Sequence, residues 1–158
     1  MNDILEMAQG NLTRVIAVRL RPGTDVLQGL TEACRRAGIN NGVILSAIGS
    51  LDGVAYCNPV ELPDKKAGYG YGEVLHLTGP IELTAGSGII CHDDQEVTNL
   101  HVHMSLSDRY GNAHGGHLVE GPKVLLTVDV IIAEIGGLVM GRKFDDELEV
   151  PLFAPKQA

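Results

Sequence analysis

At 158 residues and 44% hydrophobic content, the chain has the length for one domain with a real core. A formal net charge of −8, with scattered Lys and Arg and a pI near 5.1, works against a nucleic-acid-binding surface. Three cysteines without CxxC spacing exclude a disulfide framework or a zinc ribbon, so Cys34, Cys57 and Cys91 read as buried free thiols in a reducing compartment. The segment Met1–Gln9 has no basic region followed by an apolar run, and no stretch approaches ~20 continuous apolar residues, so the expectation is a soluble, cytoplasmic protein with no membrane partner. With two Phe, four Tyr and no Trp, the core must come from Val, Ile and Leu, which favours strands.

Residues 1–11 read as a polar lead-in, and Leu12–Leu20 as a first strand ended by Arg21-Pro22-Gly23. A helix is predicted over about 25–37, with Thr24 as its N-cap, Asp25 at the positive dipole end, Arg35 and Arg36 at the negative end and Gly38 as its stop. Leu27, Leu30, Cys34 and Ala37 form its apolar stripe. Gly42–Ile48 and Val54–Cys57 read as strands around an Asp52-Gly53 turn, and Pro59–Gly72 as a surface loop. Glu73–Leu77 and Ile81–Leu83 read as strands separated by Thr78-Gly79-Pro80, and His92–Glu96 as a polar turn. Val124–Ile135 is almost entirely aliphatic and reads as a central strand carrying Asp129, followed by a Gly136-Gly137 turn and a strand over Leu138–Phe144. One early helix and many strands in hairpin order predict an α+β fold with a large, curved, mainly antiparallel sheet.

The chemistry concentrates between Asn99 and His117, where four of the six histidines lie. His101 and His103 are two apart and leave the same face of a strand. If the Asp108–Asn112 turn centres on Tyr110, residue 103 pairs with 117, placing His103 and His117 ~5 Å apart at Cβ with His101 on the diagonal. Three neutral imidazoles with an open fourth position are a catalytic-type zinc arrangement, and they suit other first-row divalent ions as well. The competing reading is three ordinary surface or core histidines. His114 falls on the opposite face unless Gly115-Gly116 forms a bulge, while His76 and His92 read as structural or exposed.

Glu120 is the nearest carboxylate in sequence to His117 and is the candidate general acid/base, with a rim residue or interface ion pair as the competing reading. Glu82 and Asp129 sit in apolar strands, where a carboxylate is costly unless paired, and a structural ion pair is the favoured reading. Arg19 and Arg21 are candidate anion partners. The serines lack a GxSxG context, and Gly86-Ser87-Gly88 lacks the helix N-terminus that a phosphate loop requires.

Leu20-Arg21-Pro22-Gly23, Ala47-Ile48-Gly49-Ser50-Leu51, Gly79–Gly88, Leu100–Asp108 and Gly115–Gly121 occur in an order that resembles the PPC (plants and prokaryotes conserved) domain family, across roughly residues 12–154. That leaves 1–11 as the lead-in and 155–158 as a tail. The resemblance implies a compact α/β subunit that assembles as a homotrimer. It also implies a zinc site of three histidines, which by position are His101, His103 and His117. The domain is distantly similar in fold to acetolactate decarboxylase, a three-histidine zinc enzyme, but an analogy of fold does not carry activity. Plant members carry AT-hook DNA-binding segments; this chain has no Arg-Gly-Arg-Pro core of an AT-hook. The expected function is therefore a trimeric metal-binding protein whose site binds or transforms a small anionic or carbonyl-bearing molecule, as a lyase or hydrolase if it is an enzyme. The alternatives are a non-catalytic regulatory or DNA-associated module and a purely structural metal.

Overall fold

The computed structural model describes residues 4–158, so the first three residues of the predicted lead-in lie outside it. The first strand, β1, runs over Asn11–Leu20, close to its predicted bounds. Helix α1 spans Val26–Ala37 and ends at Gly38 in the left-handed conformation, as its composition requires. Its N-cap is Asp25 and not Thr24: extended backbone at Asp25 lets its carboxylate accept the Gln28 N–H at 3.1 Å. The same buried carboxylate accepts the Gly121 N–H at 2.8 Å, fastening the helix start to a distant loop.

The next strands are longer than the turn signals suggest. β2 is continuous from Gly42 to Cys57, and β5 from Leu75 to His92, where the sequence predicts separate pieces. The two pair antiparallel, and Gly53 of β2 stands opposite Thr78-Gly79 of β5, where the register shifts. Gly53 and Gly79 both have positive φ, 75° and 82°. Each turn former thus meets the other across the ladder, and the ribbon bends as a pair without either strand reversing. Within the predicted 59–72 loop, Pro59–Glu61 (β3) and Tyr69–Tyr71 (β4) form a small separate hairpin.

β6 covers Thr98–Asp108, β7 Ala113–Leu118, β8 Lys123–Gly136, β9 Leu138–Asp145 and β10 Val150–Gln157. β10 continues into the predicted tail and pairs along its length with β9. The main sheet has the order β1-β8-β2-β7-β6-β5-β9-β10, and the additional β2–β5 pairing closes a ring of β2, β5, β6 and β7. The pairings are antiparallel apart from a single parallel contact, His92 with Gly141, between β5 and β9. Closure removes free edges from these four strands. Inside lie side chains such as Ile44, Leu51, Leu83, Val102 and Leu106, and α1 packs Leu30 and Cys34 onto that core. No helix among the described residues is long and apolar enough to cross a membrane.

Candidate metal centre

The site is built on the β6–β7 hairpin, and its reversal explains the register. The Asp108 carboxylate accepts the backbone N–H groups of Tyr110 and Asn112 at 2.9 Å and the Asn112 side-chain amide at 2.9 Å. His114 Nε2 lies 3.2 Å from the same carboxylate. These donors, the Asn112 side chain foremost, hold Asp108 well below the usual carboxylate range. With the turn clamped in this way, residue pairing runs from Ser107–Ala113 to His103–His117 without a shift.

His103 and His117 therefore stand directly opposite, and Ile89 of β5 faces His101 on the neighbouring rung. On β6, Val102 and Met104 point into the core, so His101 and His103 occupy the outer face. The three histidines offer one ligand atom each within 4.8 Å of one another. His101 Nε2 and His103 Nε2 are 3.0 Å apart. Two nitrogens held by one tetrahedral zinc at ~2.0–2.1 Å would be about 3.4 Å apart, so the pair lies close to chelating separation. His117 Nδ1 is buried without a hydrogen-bond partner among the described residues, an orphan that ligation by a metal would satisfy.

Burial holds the His117 imidazole down at about 4, and His101, His103 and Arg142 push in the same direction. Burial also lowers His101, with help from His103 and Arg142. Both rings are consequently neutral near pH 7, with lone pairs available for a cation. His114 pairs with Leu106 on the opposite face and belongs to the Asp108 turn, so the predicted exclusion agrees with the register.

The other sequence candidates go elsewhere. Glu120 is exposed at a bend beyond β7 and lines a cavity with Asp52, His76 and Thr78, whose lining includes none of the three histidines. His92 ends β5 instead of starting a turn, with Nδ1 3.1 Å from the Asn40 carbonyl. Glu82 and Asp129 are exposed, and among the described residues neither makes the structural ion pair that was expected. Asp129 instead accepts the Thr127 hydroxyl at 2.8 Å, while Arg19, opposite Asp129 in register, donates to the same hydroxyl at 3.3 Å. All three cysteines are buried and free, as expected, and burial raises each thiol, Cys34 to about 11.

Three neighbours of the site were not anticipated. Tyr71 of β4 stacks on His117, with centroids 4.6 Å apart and an interplanar angle of 29°. Cys57 pairs with His117 from the β2 side. Arg142 of β9 brings a positive charge to the cluster. Nothing in the spacing of the histidines pointed to any of them.

The fold and site define a β-ring domain that presents an open three-imidazole group on its outer face. The chain belongs to the Plants and Prokaryotes Conserved (PCC) domain family, which matches residues 7–136. It is 32% identical over 121 residues to the bifunctional protein GlmU of Synechococcus sp. (strain JA-3-3Ab), a match covering 77% of this chain but only 17% of GlmU. A metal-containing protein from Archaeoglobus fulgidus superposes with a TM-score of 0.80 at 23% identity, covering 94% of this chain and 99% of that one. A plant- and prokaryote-conserved protein from Pyrococcus horikoshii superposes with a TM-score of 0.74 at 28% identity, covering 91% of this chain and 94% of that one.

Proposed function

We propose that this protein is a homotrimeric, cytoplasmic metal-binding protein. Its three-histidine group holds Zn2+ or another first-row divalent ion and takes a small anionic or carbonyl-bearing molecule at the remaining position. The observation that carries this reading is the convergence of three ligand atoms within 4.8 Å. The likeness in fold to a metal-containing archaeal protein supports it. When bound, such an ion lowers the pKa of a coordinated water to about 7 or polarises a carbonyl. The chain's own contribution is to keep His101 and His117 neutral, to fix His103 and His117 in register, and to cover one side of the cluster with Tyr71. The trimer is supported by exposed Leu45, Ile48 and Ile131 on the sheet, Leu45 and Ile48 sharing a groove with His103. Buried free thiols fit a reducing compartment.

The test is metal analysis of purified protein beside a His101→Ala/His103→Ala double variant, with light scattering for the trimer. About one equivalent of metal per chain in the wild type and little in the variant is expected; equal contents would refute the site. A gel shift repeated across salt concentrations decides the DNA-associated alternative, because real phosphate contacts weaken steeply with salt.

A further inference from the structure

The outer face of the sheet drops away beside the histidines. Ser87 of β5, His103 of β6 and His117 of β7 share one rung, and the next rung on that face holds only Ala85, Ser105 and Gly115. Small residues thus follow a pair of imidazoles, which leaves a depression along the strands.

β2 forms the far wall, and there the ladder is open. β2 and β5 pair up to Ile44–Gly88 and again from Gly49–Leu83, but among the described residues no rung joins Leu45–Ile48 to Thr84–Ser87 between them. The cause is local. The register of β2 against β8 shifts between Ile44 and Ser46, and that of β5 against β6 shifts between Leu83 and Ala85. Each strand therefore carries an extra residue, Leu45 or Thr84, at the edge of the gap. Gly86 closes the floor: a Cβ there would lie 2.9 Å from the Ala47 Cβ, and both residues are buried.

The result is a groove of about 310 Å3 that reaches the histidine group at His103. That volume stands at the lower end of the range for small-molecule clefts. Leu45 and Ile48 supply an exposed aliphatic wall, and Ser87 and Ser105 add hydroxyls. No Asp, Glu, Lys or Arg lines the groove. A charged group seated there would lose water without gaining a partner, whereas a methylene would gain apolar contact.

We infer that this groove seats the part of the ligand that does not touch the metal, and that the ligand is a metal-binding molecule with a short, uncharged aliphatic chain. This rests on the proposal that the histidines hold an ion, and it adds the character of the ligand beyond its coordinating group. Leu45 and Ile48 also serve the proposed subunit contact, so a neighbouring subunit that fills the groove is the rival occupant. Chain length separates the two.

The experiment loads the full-length protein with Co2+ and follows its visible absorption during titration with acetohydroxamate, butyrohydroxamate and hexanohydroxamate. A hydroxamate of similar length ending in a carboxylate is the charged comparison. Wild type, Ala85→Leu and Ala85→Val are compared, with cobalt content after titration, melting temperature and light scattering measured for each. In the wild type, affinity is expected to rise about twofold to fourfold per methylene, the scale of partial to full burial of each group, and the terminal carboxylate should cancel that gain. Ala85→Leu fills the groove, so it should bind acetohydroxamate like wild type and lose the gain with length, at unchanged cobalt content. Ala85→Val should lose part of the gain, which keeps the test decisive where the leucine variant does not fold. Affinities that stay flat with chain length, or a folded Ala85→Leu protein that keeps the full gain, overturn this inference while leaving the metal site standing. A flat series in a trimeric protein assigns the groove to the neighbouring subunit instead. A wild type that takes up no cobalt overturns both readings.

Discussion

His103 and His117 face each other across the β6–β7 ladder, their ring centroids 5.5 Å apart and nearly perpendicular, with no bulge between them and the turn. This pairing depends on how closely β7 approaches β2. A Cβ at Gly116 would come within 2.4 Å of the Asn58 Oδ1 and 2.8 Å of the Cys57 carbonyl oxygen. Gly116→Ala must therefore push β7 away and spoil the register of the ligands. Metal affinity, measured by competition with a chromophoric chelator, is expected to fall about tenfold or more, while the far-ultraviolet spectrum keeps its β signature.

Asp25 ties α1 to the loop before β8 through two backbone donors. Asp25→Ala strips the cap and leaves the Gly121 N–H without its acceptor, so urea unfolding should show a loss of about 2–3 kcal/mol. Asp25→Asn keeps one acceptor oxygen and should lose less. Equal losses in the two variants would show that the acceptor is not what matters there.

The metal-free protein should lose stability as pH falls from 7 towards 5. The folded state holds the His117 imidazole at about 4, against an ordinary value near 6.5. Between those values the unfolded chain binds more protons than the folded one, so stability rises with pH across that window and the destabilisation is complete below pH 4. Carboxylates with depressed values, Asp108 and Glu134, act in the other window: their stabilisation is present above the ordinary carboxylate range and is lost at still lower pH. Thermal melts between pH 7 and 5 should therefore isolate the histidines, and His117→Gln should flatten the slope.

Tyr71 shields one face of His117. Tyr71→Ala opens that face to water and should move the His117 titration upwards in an NMR experiment on the metal-free protein. Tyr71→Phe keeps the ring and should leave the titration nearly in place. The stacking itself is worth about 0.5–1.5 kcal/mol, so both variants should remain folded.

The helix, the antiparallel sheet and the set of three histidines were legible in the sequence because each rests on a local period: 3.6 for α1, and 2 for β6 and β7. Counting from Tyr110 found the cross-strand partner because Asp108 makes the turn symmetric about that point. The strand lengths of β2 and β5 were hidden by Gly53 and Gly79, which look like chain reversals until their pairing is known. Tyr71 was hidden inside a Pro-, Lys- and Gly-rich stretch that read as loop. Glu120 looked close because it is near His117 in sequence, but the bend after β7 turns it to another cavity.

All three histidines fall within one seventeen-residue stretch, His101 to His117, so the unfolded chain carries a chelating segment of its own. Binding stabilises a fold only by the difference in affinity between folded and unfolded chains. A metal at this site should thus raise the melting temperature less than its native affinity alone would suggest. The same locality would let a nascent hairpin offer all three imidazoles to an ion before the ring of strands has closed.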